Sequence, residues 1–199
     1  MDIRPEIQIR SMIKAMIDVV LPAVDAHNKL AQEQSRLIIA TLQLIAKRLP
    51  IAYRYDRDEL ERYVALAQEL TEEFGPANAG PAATDLQRLA AQGADILERA
   101  QAEPAELEEA IFELRDRVSA LVGEIGAVQD TAVKARLRKV ILAASKTELD
   151  RERALVVDMG FEADPANVPA PIEMQLPMVG QRHSRSGHAG ECSIQETKT

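Results

Sequence analysis

Leu107, Ile111, Leu114, Val118, Leu121 and Ile125 follow one another at steps of four, three, four, three and four residues. That is a heptad seam sustained over nearly three heptads, the cleanest periodicity in the chain, and it commits this stretch to an α-helix with one apolar side. The seam does not continue in phase. Its next positions would be Val128, Ala132, Ala135 and Lys139, whereas the apolar residues are Val133, Leu137 and Val140. Gly123 and Gly126 precede the slip, and Asp130 can cap a new helix. The pattern predicts an antiparallel helical hairpin, 105–126 and 130–158, rather than one long rod. Pro104 suits the first turn, and Glu106, Glu108 and Glu109 favour the positive end of its dipole.

Helical spacing governs the rest of the chain as well. Ile9, Ile13, Met16, Val20 and Val24 share a face of a first helix that runs from Pro5 to about Val24, with Met12, Ile17, Val19 and Leu21 widening it. In a second helix, 27–49, Ala31, Ser35, Ile38, Leu42, Ile45 and Leu49 form one stripe, and Leu30, Leu37 and Leu44 another. Apolar faces that broad need more than one neighbour, so this pair is expected at the centre of a bundle. Pro50 ends the second helix. Asp56 with Glu59 reads as a capping box for a third helix with the stripe Leu60, Tyr63, Ala67, Leu70 and Phe74. Thr84 with Gln87 reads as another, opening a fourth helix to about Ala102.

The expected fold is all-α: a bundle of five to six helices with an antiparallel helical hairpin and a disordered C-terminal tail. Its organisation is a three-helix unit over 1–74, a Gly/Pro/Ala linker at 75–83, a helical unit with the coiled-coil-like hairpin over 84–159, and a Pro/Gly-rich tail over 160–199. Within that tail Ile172, Met174, Leu176 and Met178 alternate with other residues, the period of an extended segment with one apolar side. Such a segment can lie along a groove of its own bundle or of a partner.

Composition excludes several functions. The net charge is −8, and each of the segments 1–74, 75–159 and 160–199 is net acidic, so a nucleic-acid polyanion is repelled throughout. Residues 12–24 are strongly apolar, but Lys14 and Asp18 interrupt a run already too short to span a bilayer. The first residues lack the pattern of a signal peptide, and a lone Cys192 permits no internal disulfide, which together describe a cytoplasmic chain. No metal site is expected, because no Glu-x-x-His pair or H-E-x-x-H occurs and His183, His188 and Cys192 are irregularly spaced in the tail. Phosphate-cradling glycine loops and a G-x-S-x-G elbow are likewise missing, so no cofactor and no catalytic residue is assigned.

Three constellations remain. Tyr53, Tyr55, Arg57 and Tyr63, within "YRYDRDELERY", are residue types that anchor protein interfaces, though the same side chains can pack and cap the bundle. Lys134, Arg136, Arg138 and Lys139 make a local basic patch, fit either to receive an anion or to pair with the acidic helix 105–126. Asp25, His27 and Asn28 lie in the polar corner between the first two helices, where His27 could act as a general base at the mouth of a small-ligand pocket.

The stretch "VVLPAVDAHNKLAQEQSRLIIATLQLIAKRL", residues 19–49, carries a resemblance. An apolar helix ends in Leu-Pro-Ala-Val-Asp, a polar corner follows, and a second helix closes on Arg-Leu. With its surroundings over residues 1–74 it resembles the small helical proteins that accompany aminoglycoside-phosphotransferase-like kinases and acyl-CoA dehydrogenases in bacterial carboxylic-acid catabolism. The resemblance implies a non-catalytic accessory that supports a kinase acting on a hydroxyacyl-CoA, and it carries over no catalytic residue. The sequence thus points to a protein-binding partner for another protein. The contrary expectation is an enzyme or ligand binder with its site near Asp25, His27 and Asn28, and homo-oligomerisation through 105–158 is compatible with both.

Overall fold

Helices in this chain begin where proline removes an N–H or a side chain supplies a cap. A computed structural model describes residues 4–75, 80–99, 101–160 and 165–177. Helix α1 (Pro5–Ala15) opens on a proline and runs through a π-turn, Met16–Val20, into α2 (Leu21–Ala23) without leaving helical dihedrals. Pro22 explains the wide turn. It has no N–H to offer Asp18 and its ring crowds that carbonyl, so the turn before it opens instead of the helix breaking. The extra residue also rotates the apolar face: Leu21 and Val24 are partly covered, while Val19 and Val20 are exposed.

Asn28 caps α3 (Lys29–Arg48), its side-chain oxygen accepting the Ala31 N–H at 3.1 Å. A 3-10 turn at Leu49–Ile51, built on Pro50, leads into α4 (Ala52–Phe74), which ends at Gly75 with φ of 66°. Helix α5 (Pro81–Glu98) follows, then α6 (Pro104–Glu124), opened by a capping box between Glu103 and Glu106. Past a 3-10 turn at Ile125–Ala127, Asp130 caps α7 (Thr131–Val156) by accepting the Ala132 and Val133 N–H groups. The chain ends its described course in a 3-10 turn, Pro165–Asn167, and a single helical turn, α8 (Ile172–Gln175).

The core gathers on α4. Helices α5 and α6 pack on α4 and on each other, and α7 packs on α4. The heptad seam lies inside this body: Leu107, Ile111, Leu114, Leu121 and Ile125 are buried together with Leu60, Val64, Ala67, Leu70, Phe74, Leu86 and Leu89. Helices α6 and α7 follow one another through the predicted corner, and both lean on α4. At the closest approach Gly93 of α5 faces Val64, Leu60 and Leu114, leaving no room for a side chain.

Several local expectations are corrected. Helix α4 begins at Ala52, so Asp56 and Glu59 sit inside it and cap nothing; Glu59 is instead buried. Helix α5 begins at Pro81, three residues ahead of Thr84, whose hydroxyl donates to the Gly80 carbonyl. The first two helices are not the centre of the bundle. Residues 5–23 contain no buried residue and α3 contains only Ser35 and Ile39, so α1–α2 and α3 form an outlying hairpin joined to the body at Leu49–Ile51. Finally, Ile172 and Leu176 are buried four residues apart on a helical turn, Met174 points outward at 78% exposure, and the segment is not extended. Met178 lies outside the described residues.

Candidate interaction surface

The Tyr/Arg cluster is drawn into the fold. The Tyr53 hydroxyl donates to the Ala102 carbonyl, and Arg57 donates to the Leu97 carbonyl with its guanidinium 6.0 Å from the Tyr53 ring. These contacts fasten the start of α4 to the end of α5. Tyr55 is covered by Arg151 of α7 at 5.6 Å and Tyr63 by Arg115 of α6 at 5.2 Å. Burial, and then the nearby Glu59, pushes the Tyr55 phenol above its ordinary pKa.

Beneath these rings runs an ionic lattice. Asp58 accepts from Arg151 and, at 3.1 Å, from Arg62; Arg62 also pairs with Glu148, and Arg115 with Glu59. Arg151 and Glu59 are 6% and 5% exposed, and each is met by an opposite charge, Asp58 and the half-buried Arg115 respectively. Burial lowers the Arg62 pKa even against the pull of Asp58. Such a lattice fixes how α4, α6 and α7 meet. Its arginines are matched by carboxylates or stacked on rings, so it offers little to an incoming anion. Sequence reading missed Arg115, Glu148 and Arg151, and misread Glu59. The available signal was position: Glu59 lies one turn before Tyr63 on the apolar side of α4, and Arg151 continues the phase of Val133, Leu137 and Val140 along α7.

The basic patch divides. Arg136 pairs with Glu73 of α4 at 2.6 Å and Lys134 donates to the Gly126 carbonyl, while Arg138 and Lys139 are exposed on α7. In the polar corner, the Asp25 carboxylate accepts the backbone N–H of His27 at 2.9 Å, and Gln32 donates to the Val24 carbonyl. Asp25 therefore shapes the turn and does not orient the His27 ring, which is exposed. Two clefts open elsewhere. One of about 580 Å³ between α5 and α6 is rimmed by Asp95, Glu106, Glu109 and Glu113; one of about 280 Å³ between α4 and α7 is lined by Tyr63, Leu66, Val140 and Ala144. No group of three or more His, Cys, Asp or Glu that could hold a metal is found among the described residues.

The C-terminal segment docks at the base of the hairpin. Ile172 and Leu176 bury themselves with Ile51 and Ala154, beside Tyr55 and Leu155. Arg54 donates to the Pro177 carbonyl, Arg48 to the Leu155 carbonyl at 2.5 Å, and Lys47 meets Asp158 and Glu173. Of the predicted interface residues, then, Ile172 and Leu176 serve the chain's own packing.

What the fold leaves uncovered is the hairpin. Of the 16 exposed large hydrophobic residues described, nine lie within residues 7–45. On α3 these are Leu30 (68% exposed), Leu37 (51%), Ile38 (48%) and Ile45 (43%), which with Gln34 and Thr41 make one uncharged stripe. Helix α1 and its π-turn add Ile7, Met12, Ile17, Val19 and Val20. No helix among the described residues is long and apolar enough to cross a membrane. No family model matches this chain, and neither the curated proteins nor the solved structures contain a match to it.

Proposed function

We propose that this chain is a non-catalytic accessory protein that binds and supports a partner enzyme through its N-terminal hairpin. Following the resemblance of residues 1–74, that partner is an aminoglycoside-phosphotransferase-like kinase acting on a hydroxyacyl-CoA, which puts the chain in the cytoplasm. One observation carries the reading: a hairpin with only two buried residues keeps nine large apolar side chains in water, whereas the body beside it buries a continuous core. Isolated helices are marginal in water and take their stability from covering an apolar face. The test is co-expression with the kinase followed by size-exclusion chromatography. The two proteins are expected to co-elute with kinase turnover raised; separate elution with turnover unchanged refutes the proposal. His27→Ala is expected to leave both readouts unaltered.

A further inference from the structure

One short segment, residues 165–177, touches each part that meets at the foot of the hairpin. Its Ile172 and Leu176 bury themselves against Ile51 of the Pro50 turn and Ala154 of α7. Its Glu173 lies 3.8 Å from Lys47 in the last turn of α3, and its Pro177 carbonyl accepts from Arg54 in the first turn of α4 at 2.8 Å. The segment therefore spans the joint, held to α3 before Pro50 and to α4 after it.

That joint has few other ties among the described residues. Helix α3 packs on α1, the π-turn, α2 and the Pro50 turn. Its two buried residues, Ser35 and Ile39, belong neither to the core on α4 nor to the cluster around Ile172. Pro50 withholds an N–H from the helical ladder at the same point, which makes it the place where α3 bends most readily. The side chains that reach from α3 to the rest of the molecule are those of Lys47 and Arg48, and one of their acceptors, Glu173, lies on this segment.

The composition of the segment suits it both to dock and to let go. Pro165, Pro169, Pro171 and Pro177 stand among its 13 residues, so the undocked chain is already stiff and loses less freedom on docking. Its anchor is small: two aliphatic side chains on a single helical turn, with Met174 between them turned to solvent. The pair with Lys47 is part-exposed, where water and salt weaken it. Two buried side chains set against the ordering of a whole segment leave a dock near balance, in contrast to the continuous core under α4.

We infer that residues 165–177 are a latch: docked, they fix the angle of the hairpin at Pro50, and released, they leave it to swing about that turn. Leu30, Leu37, Ile38 and Ile45 are exposed with the latch docked, so it orients the α3 stripe without covering it. The inference stands on the geometry of the foot and is independent of what the hairpin binds.

Pulsed electron paramagnetic resonance on the full chain tests it, with spin labels at His27→Cys on the hairpin and Ser119→Cys on α6, both exposed positions, in a Cys192→Ser background. The parent is expected to give one narrow distance distribution. Ile172→Asp removes the anchor and is expected to broaden that distribution about twofold or more, whereas Met174→Asp, on the outward side of the same turn, leaves it narrow. Hydrogen exchange separates a freed hairpin from a loosened body: the amides of α5 and α6 keep the parent's protection in Ile172→Asp. In the parent, the Leu176 amide, which donates to the Ile172 carbonyl, is expected to be about 100-fold less protected than the amides of Leu60–Leu70. A broad distribution in the parent, an unchanged one in Ile172→Asp, equal broadening by Met174→Asp, or a Leu176 amide as protected as the core of α4 overturns the inference.

Discussion

Replacing Gly93 by alanine pits backbone propensity against packing, and the geometry decides the winner. In a helix interior alanine is favoured over glycine by about 1 kcal/mol. Gly93 lies inside α5, so on propensity alone the substitution stabilises. The new Cβ, however, would stand 2.7 Å from Val64 Cγ2, 3.3 Å from Leu60 Cδ1 and 3.5 Å from Leu114 Cδ1. Leu60 and Leu114 are fully buried and Val64 is 7% exposed, so none has solvent to retreat into. Valine in a helix has essentially one rotamer, and relief must come from α4 and α5 moving apart. Overpacking of this kind costs about 1–3 kcal/mol, which leaves a net loss of about 1 kcal/mol after the propensity gain. For a chain of this length that lowers Tm by roughly 2–4 °C. Urea unfolding followed by far-ultraviolet circular dichroism measures it, and Val64→Ala completes a double-mutant cycle. Alone, Val64→Ala opens a cavity and costs about 2 kcal/mol; combined with Gly93→Ala the two changes fill and relieve one another, so the double variant is more stable than additivity predicts. A Gly93→Ala chain as stable as the parent, or a strictly additive cycle, refutes the packing argument.

Arg151→Leu removes one of the two arginines that donate to Asp58 and leaves Arg62, so it is expected to cost about 1.5–3 kcal/mol by chemical denaturation, the worth of a charge-assisted hydrogen bond; a loss below about 1 kcal/mol would show the lattice to be well solvated. Burial, followed by Glu59 and Glu108, raises the Asp56 carboxyl above its usual range. The folded chain thus holds that proton more tightly than the unfolded chain, so ionised Asp56 costs stability at neutral pH; the cost fades as pH falls through the raised folded value and is gone below the unfolded value of about 3.9. Asp56→Asn should raise Tm at pH 7 and give no gain near pH 3, and equal gains at both would contradict this. Ile172→Asp should release the C-terminal segment, read as proteolytic cleavage near residue 170 with the body's unfolding midpoint little changed; protection equal to the parent's would show the dock to be unnecessary.

Much of the fold was legible because helical phase survives tertiary context. The steps from Leu107 to Ile125 place those residues on the buried side of α6, and Asp130 caps α7 as its position before an apolar run requires. Partner choice was not legible. The stripes of the first two helices specify an apolar neighbour without naming it, and broad stripes suggested the bundle centre when in fact they lie outside it. The π-turn was hidden because Pro22 signals a disturbance but not which turn will widen. Arg151 escaped notice, and Glu59 was read as half of a capping box, because neither charge was weighed against the helical phase it occupies. Both lie on the inward phase of their helices, where a charge signals a buried pair.

The clamp at the foot of the hairpin has a mechanical consequence. A 20-residue helix is about 30 Å long, so α3 is a lever whose fulcrum is the Pro50 turn. A rotation of about 10° at that fulcrum would carry the His27 corner sideways through roughly 5 Å, about half the spacing between packed helices. Lys47 and Arg48, held by Asp158, Glu173 and the Leu155 carbonyl, therefore govern the aim of a surface far from themselves.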